Sequence, residues 1–365
     1  MSLDDKSVLD AVCGSVLATR MDGIPIYLAI IGAPGSGKSV VIESLKGLRD
    51  TYSLSLLTPK TFSSGHKDKG SSLLAQLGET EPKIVLFKDF TSVLSQRPDS
   101  RNEIMANLRE IYDGSFVGRW GTGKEERWKG KMGLIAGCTG AWDQISQYVG
   151  TLGERFIIYR MPAGSPQVIA ERALRGGPSE LAMQDDLRTA MTTLDGIPVD
   201  KIPEIQHDAR QSLARLSEFT AHMRTAVPRD NYRREVIGEP ELEGTGRISK
   251  QFGQLIRGIA LFKEHGEIWN DDLHLLEQVA LGSLPPTRLK VLQTLPYGGC
   301  TVRQLEDLTG RPRTLLGRVL QDMQLLGVLE LSQVGYRPVD KFVSYFEAAR
   351  QPLNLFEEGD DENGN

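Results

Sequence analysis

Residues 26–45 constrain the fold of this chain more than any other stretch. An apolar run from Ile26 to Ile31 meets Gly32-Ala33-Pro34-Gly35-Ser36-Gly37-Lys38-Ser39, and a helix-compatible segment follows. The pattern G-x-x-x-x-G-K-S, with a strand before it and a helix after, predicts a phosphate-binding loop. Its glycines let successive backbone N–H groups curl around an anion. Lys38 then reaches the β/γ-phosphates, and the Ser39 hydroxyl sits on Mg²⁺. The expectation is ATP or GTP with Mg²⁺ held at 32–39; a structural glycine-rich turn is the rival reading.

Composition narrows the setting. No run approaches the roughly 20 apolar residues of a membrane span, and the start, Met1-Ser2-Leu3-Asp4-Asp5-Lys6, lacks the apolar region of a signal peptide. Cys13, Cys138 and Cys300 lie far apart without ligand spacing, which predicts reduced thiols in a cytoplasm. The net charge is −5, and Glu357, Glu358, Asp360, Asp361 and Glu362 at the tail carry five negative charges. The body is therefore near neutrality, and local basic patches decide what it attracts.

Along the chain, Val8, Leu9, Val12, Val16 and Leu17 predict an amphipathic helix over 1–20. Strands are expected at 26–31, 52–58, 83–88, 132–137 and 156–160, with helices at 38–47 and 100–112. This alternation predicts an α/β class, a mostly parallel sheet with helices on both faces. From 163 to 282 the pattern turns helical, broken at Gly176-Gly177-Pro178, Ile197-Pro198 and Pro228-Arg229-Asp230; a further unit starts near Leu284-Pro285-Pro286. The expected division is 1–162 as ATPase core, 163–283 as helical lid, 284–346 as a separate small domain, and 347–365 as a disordered acidic tail.

Candidate catalytic residues follow from strand ends. Lys83-Ile84-Val85-Leu86-Phe87-Lys88-Asp89 is an apolar strand closing on an acid, where a P-loop protein keeps its Mg²⁺-organising aspartate. Phe90 follows it, so the usual water-activating glutamate is missing; either Glu103 or Glu110 serves instead, or hydrolysis is slow. A second buried strand ends at Thr139, suited to bond a γ-phosphate or its attacking water, or simply to close a turn. Leu152-Gly153-Glu154-Arg155-Phe156 offers a cation for transition-state charge on a neighbouring subunit, an effect of about 10³-fold or more. The plainer reading of Arg155 is a surface arginine capping a helix.

These elements occur in the order of an AAA+ ATPase core, which residues 20–282 resemble. The Gly153-Glu154-Arg155-Phe156 element resembles the arginine finger of minichromosome-maintenance-type helicases. The stretch Gly246-Arg247-Ile248-Ser249-Lys250-Gln251-Phe252 resembles a lid helix carrying a second sensor arginine. That resemblance implies that Arg247 contacts the γ-phosphate and that subunits assemble into a ring, such as a hexamer. The order is also similar to ATP-binding proteins of bacteriophages and integrated mobile elements, which implies a role in DNA replication.

Two basic elements point to DNA. Ser115-Phe116-Val117-Gly118-Arg119-Trp120 and Lys124-Glu125-Glu126-Arg127-Trp128-Lys129-Gly130-Lys131 flank Gly121-Thr122-Gly123 as a β-hairpin. Arg119, Lys124, Arg127, Lys129 and Lys131 would meet phosphates, and Trp120 and Trp128 would stack on bases; otherwise the tryptophans pack on the domain. Helicase-like AAA+ rings resemble this in carrying a pore hairpin here. Residues 285–340 resemble a winged helix-turn-helix domain: three helices, the second opened by a Thr301–Gln304 capping box, then two short strands. Arg311, Arg313 and Arg318 lie on or near its recognition helix, although many winged helices bind only protein. Finally, Gln351-Pro352-Leu353-Asn354-Leu355-Phe356 resembles peptides that dock on the bacterial sliding clamp, or else folds back on the domain before it.

The sequence thus predicts a DNA-acting AAA+ ATPase: a helicase, a helicase loader partnering a replicative helicase, or an initiator. A nucleotide-gated transcriptional switch with little turnover is the principal rival. A small-molecule P-loop kinase explains neither Arg155 nor the C-terminal unit.

Overall fold

A computed structural model of the chain describes residues 6–62, 72–119, 125–144, 155–162, 167, 171, 178–230 and 232–350. The first elements are α1 (Ser7–Arg20), β1 (Tyr27–Ile31), α2 (Lys38–Ser44), β2 (Thr51–Leu54), α3 (Pro59–Phe62), α4 (Leu73–Leu77), β3 (Lys83–Phe87) and α5 (Thr91–Leu94). Next come α6 (Pro98–Tyr112), β4 (Ser115–Arg119), β5 (Glu125–Lys129), β6 (Met132–Cys138) and β7 (Phe156–Arg160). Four helices follow, α7 (Pro178–Met191), α8 (His207–Arg224), α9 (Thr245–Phe262) and α10 (Asn270–Gly282). The last elements are α11 (Pro286–Thr294), α12 (Val302–Thr309), α13 (Arg313–Leu325), β8 (Leu329–Ser332), β9 (Gly335–Pro338) and α14 (Val343–Ala348).

The class is α/β. Five described strands form a parallel sheet in the order β2-β3-β6-β1-β7. Every residue of β1 and β6 is buried, as expected of parallel strands covered on both faces. Tyr27, Ala29, Ile31, Val85, Phe87, Leu134, Ala136 and Phe156 join Ile104, Leu108 and Ile111 of α6 in one core. Helix α1 packs on β1, β3 and β6. It is buried on all sides from Ala11 to Thr19 rather than along one stripe. The reason is α9: a Cβ on Gly258 would lie 2.0 Å from the Gly14 carbonyl oxygen, so the two helices touch backbone to backbone.

Some boundaries differ from expectation. Strand β2 stops at Leu54, before the expected 58, and Leu56 is exposed. Helix α2 stops at Ser44 and gives way to a 3₁₀ turn, Leu45–Gly47.

The described residues fall into two compact units, one within 1–226 and 242–283, the other within 227–241 and 284–365. Helices α8, α9 and α10, in the stretch expected as a lid, cluster with the sheet in the first unit. The second unit holds α11 to α14 and the antiparallel pair β8–β9. Thr301 and Gln304 form the expected capping box at the start of α12: Gln304 N donates to Thr301 Oγ1 at 3.3 Å and Thr301 N to Gln304 Oε1 at 2.9 Å. Its core is Val291, Leu292, Leu305, Leu316, Leu320, Met323, Phe342 and Phe346. Residues 347–350 do not belong to a disordered tail: Ala349 is buried, and Arg350 bonds the Leu295 carbonyl and stands 4.0 Å from the Tyr297 ring centroid. The clamp-like segment Gln351 to Phe356 lies outside the described residues. Among the described residues no helix is long and apolar enough to cross a membrane.

Candidate functional site

The loop at 32–39 leaves the C-terminal end of β1 and feeds α2. Gly35 (φ 81°) and Gly37 (φ 87°) occupy the left-handed region, which a side chain would strain. By helix geometry the Lys38 and Ser39 amides have no intrahelical acceptor, so they are available to an anion. Lys38 is buried, 8 % exposed, and its ammonium donates to the carbonyls of Gly32 (2.7 Å) and Ala33 (2.6 Å) and to Ser36 Oγ (3.1 Å). Burial lowers its pKa, against the opposing pull of Cys138 and Asp89. The lysine therefore rests on the loop's own oxygens, acceptors that phosphate oxygens can replace.

Two neighbouring strand ends complete the arrangement. Gly32 N donates to Cys138 O at 3.2 Å, joining the loop to the end of β6. A Cβ on Gly137 would lie 2.5 Å from the Lys88 carbonyl oxygen, and Phe90 N donates to Gly137 O at 2.7 Å, so the turn after β3 lies against β6. This contact brings Asp89 and Thr139 together. Thr91 links them: its amide donates to Asp89 Oδ1 at 3.1 Å, and its hydroxyl accepts from Thr139 N at 3.2 Å and lies 3.4 Å from Thr139 Oγ1. Thr139 Oγ1 also accepts from Ala141 N at 3.4 Å, so it closes the strand-end turn as well. Thr91 escaped the sequence reading; its signal was the Asp-x-Thr spacing after an apolar strand.

The residues present fit a nucleotide triphosphate with Mg²⁺. Ser39 and Asp89 are exposed, and among the described residues no group of three or more His, Cys, Asp or Glu could hold a metal ion alone. A hydroxyl and one carboxylate suit Mg²⁺ when phosphate oxygens supply the remaining positions.

Phe90 is fully buried, with ring centroids 5.9 Å from Phe87, 5.9 Å from Trp142 and 5.6 Å from Phe156. The position after Asp89 therefore faces the core and is closed to an acid. Glu103 and Glu110 are exposed on α6.

Register fixes the arginines. Tyr27 pairs with Phe156 and Ile31 with Arg160, so Arg155 stands at the end of the sheet opposite the loop, about 16 Å away along β7. There its guanidinium pairs with Asp113 at 2.9 Å and lies 5.6 Å from the Tyr112 ring centroid. Burial pushes the Tyr112 phenol up to about 12, while a Gln251 hydrogen bond and the charges of Arg155 and Arg247 pull it down. Arg247, exposed in the first turn of α9, lies one turn before Gln251, whose Nε2 donates to the Arg155 carbonyl at 2.7 Å. Arg160 stands on the loop's side and is held by Asp143 (2.6 and 3.0 Å) and the Gly282 carbonyl (2.7 Å).

Strands β4 and β5 form the expected hairpin; Trp120 and Lys124 lie outside the described residues. Of the two readings offered for the tryptophans, Trp128 follows the packed one: it is buried and donates Nε1–H to Gly78 O at 2.7 Å. Lys131 turns inward to the Met21 carbonyl, and burial lowers its pKa to about 8 against the pull of Asp22. Arg119 and Arg127 are exposed but both pair with Glu125, and Lys129 is exposed. In the second unit Arg311, Arg313 and Arg318 are all exposed.

In comparisons with known proteins, no family model and no curated protein matches the chain.

Proposed function

We propose that the chain is a DNA-acting ATPase of AAA+ type. The observation that carries this reading is the convergence of the Lys38 loop, Asp89 and Thr139 at the ends of three adjacent strands, β1, β3 and β6. ATP would lie on the amides of 32–39, with Lys38 moved from the loop carbonyls to the β/γ-phosphates and Mg²⁺ between Ser39 and Asp89. When bound, Mg²⁺ supplies charge neutralisation on the phosphates. Thr139 and Thr91 would orient a water near Asp89. Arg155 and Arg247 share an end of the sheet away from their own loop, which favours action on a neighbouring subunit's nucleotide in a ring. The exposed arginines of the second unit, on three helices followed by a two-stranded hairpin, support a winged helix on duplex DNA. The setting would be replication of a phage or mobile element.

The buried Phe90 favours a second reading, a nucleotide-gated DNA-binding switch with little turnover. Measuring ATP turnover with and without DNA separates the two. The ATPase reading predicts stimulation by DNA; binding of nucleotide and DNA without turnover in either condition would favour the switch.

A further inference from the structure

Residues 227–241 lie between α8 and α9 in sequence, yet they cluster with the C-terminal unit. One side chain explains the attachment. Arg229 donates Nε–H and Nη2–H to Asp322 Oδ1 (3.0 and 2.7 Å), and Nη2–H also to Gln321 Oε1 (2.8 Å) and the Arg318 carbonyl (3.3 Å). All three acceptors lie on one turn of α13. Asp322 also faces Arg288, buried in the same unit, at 3.5 Å. Both members of the Arg229–Asp322 pair are largely buried, and breaking such a pair is costly because one charge is left stranded. The segment is therefore fixed to α13 as a strap.

Its tip is equally constrained. Asp230 accepts from the amides of Tyr232 (2.7 Å), Arg233 (2.6 Å) and Glu235 (2.7 Å), and those bonds, led by Arg233, lower its pKa. Asp230 N donates to Glu235 O at 2.9 Å, Ile237 N donates to Pro228 O at 3.1 Å, and Arg229 Nη1–H donates to Arg234 O at 2.6 Å. Arg234 is held at φ 61°, in the left-handed region. On this closed loop Tyr232 is 93 % exposed, and Arg233 and Arg234 are exposed beside it. An ordered tip that spends its hydrogen bonds on shape and buries none of its three large side chains is preorganised for a partner. Cations for phosphates and an aromatic face with a hydroxyl suit nucleic acid. The Arg229 guanidinium bonds the carbonyls of both Arg234 and Arg318, so the strap reaches the turn of α13 that bears one of the arginines proposed above to meet DNA.

We propose that this strap is a second DNA-contacting element of the C-terminal unit, with Tyr232, Arg233 and Arg234 gripping the duplex backbone next to Arg318 and Arg229 positioning them. The inference rests on the DNA reading above. The test is duplex binding by the full chain in fluorescence anisotropy across a salt series. It compares the parent, Y232A/R233Q/R234Q, R229M and R311Q/R313Q/R318Q, with circular dichroism melts as fold controls. The tip variant should bind about tenfold more weakly, with a salt slope shallower by about 2, one for each phosphate that the removed arginines no longer neutralise, and an unchanged melt. R229M should show the same slope change if the strap is released. If the helix variant loses affinity while the tip variant keeps the parental affinity and slope, the strap proposal falls and the DNA reading stands. No duplex affinity in the parent at low salt would overturn both.

Discussion

Replacing Phe90 by the acid that an efficient hydrolase would carry there should destroy the fold before it creates a base. Phe90 has no exposed surface and meets Phe87, Trp142 and Phe156. Truncating such a ring costs about 3–5 kcal/mol, and a carboxylate in its place adds an effective burial penalty of several kcal/mol or takes up a proton. The sum for Phe90→Glu exceeds about 5 kcal/mol, comparable to the whole stability of many domains, about 5–15 kcal/mol. Phe90→Leu keeps most of the volume and should cost about 1–2 kcal/mol. Urea denaturation followed by tryptophan fluorescence reads the difference directly, since Trp142 belongs to the cluster. The expected fall in midpoint is on the order of 2 M for the glutamate and well under about 1 M for the leucine. A Phe90→Glu protein with the parental midpoint and faster ATP turnover would refute the reasoning, because the position would then open onto the nucleotide.

The remaining predictions concern charge. Mixing Arg155→Ala with Lys38→Ala subunits should restore part of the ATPase lost in each alone, the intact loop of one being served by the finger of the other; no recovery in an assembly shown to exchange subunits would count against action between subunits. The Lys131 ammonium should titrate with a midpoint near 8 by NMR of its Cε, and stability should grow as pH rises from there towards the usual lysine range, because the unfolded chain keeps a proton that the native one has lost. A midpoint at the ordinary value of about 10.4 would mean that Lys131 is solvated, as a DNA contact would be.

Local pattern carried much of this fold. The apolar runs of β1, β3, β6 and β7, the glycines of the loop and the capping box of α12 are readable because each is fixed by neighbours in sequence. Long-range partners were not readable. Trp128 sits in a basic, alternating segment, and nothing local shows that Gly78 accepts its Nε1–H. Phe90 reads as a substitution for a catalytic acid until Phe156 and Trp142, distant in sequence, close around it. The lid-like helix α9 carries Arg247 in the expected order, but the contact of Gly258 with Gly14 ties it to α1 and sets its direction. The strap at 227–241 looks like a break between helices, and only Asp322, 93 residues beyond Arg229, reveals its allegiance.

The central claim is that residues 32–39 and Asp89 form a nucleotide triphosphate site with Mg²⁺. Calorimetric titration of ATP, with and without Mg²⁺, into the parent, Lys38→Ala and Asp89→Ala tests it most directly. The account predicts Mg²⁺-dependent binding by the parent, a loss of at least about tenfold when the Lys38 ammonium is removed, equivalent to about 1.4 kcal/mol, and loss of the metal dependence in Asp89→Ala. Parental affinity in Lys38→Ala, or no heat from the parent at millimolar ATP, would contradict it.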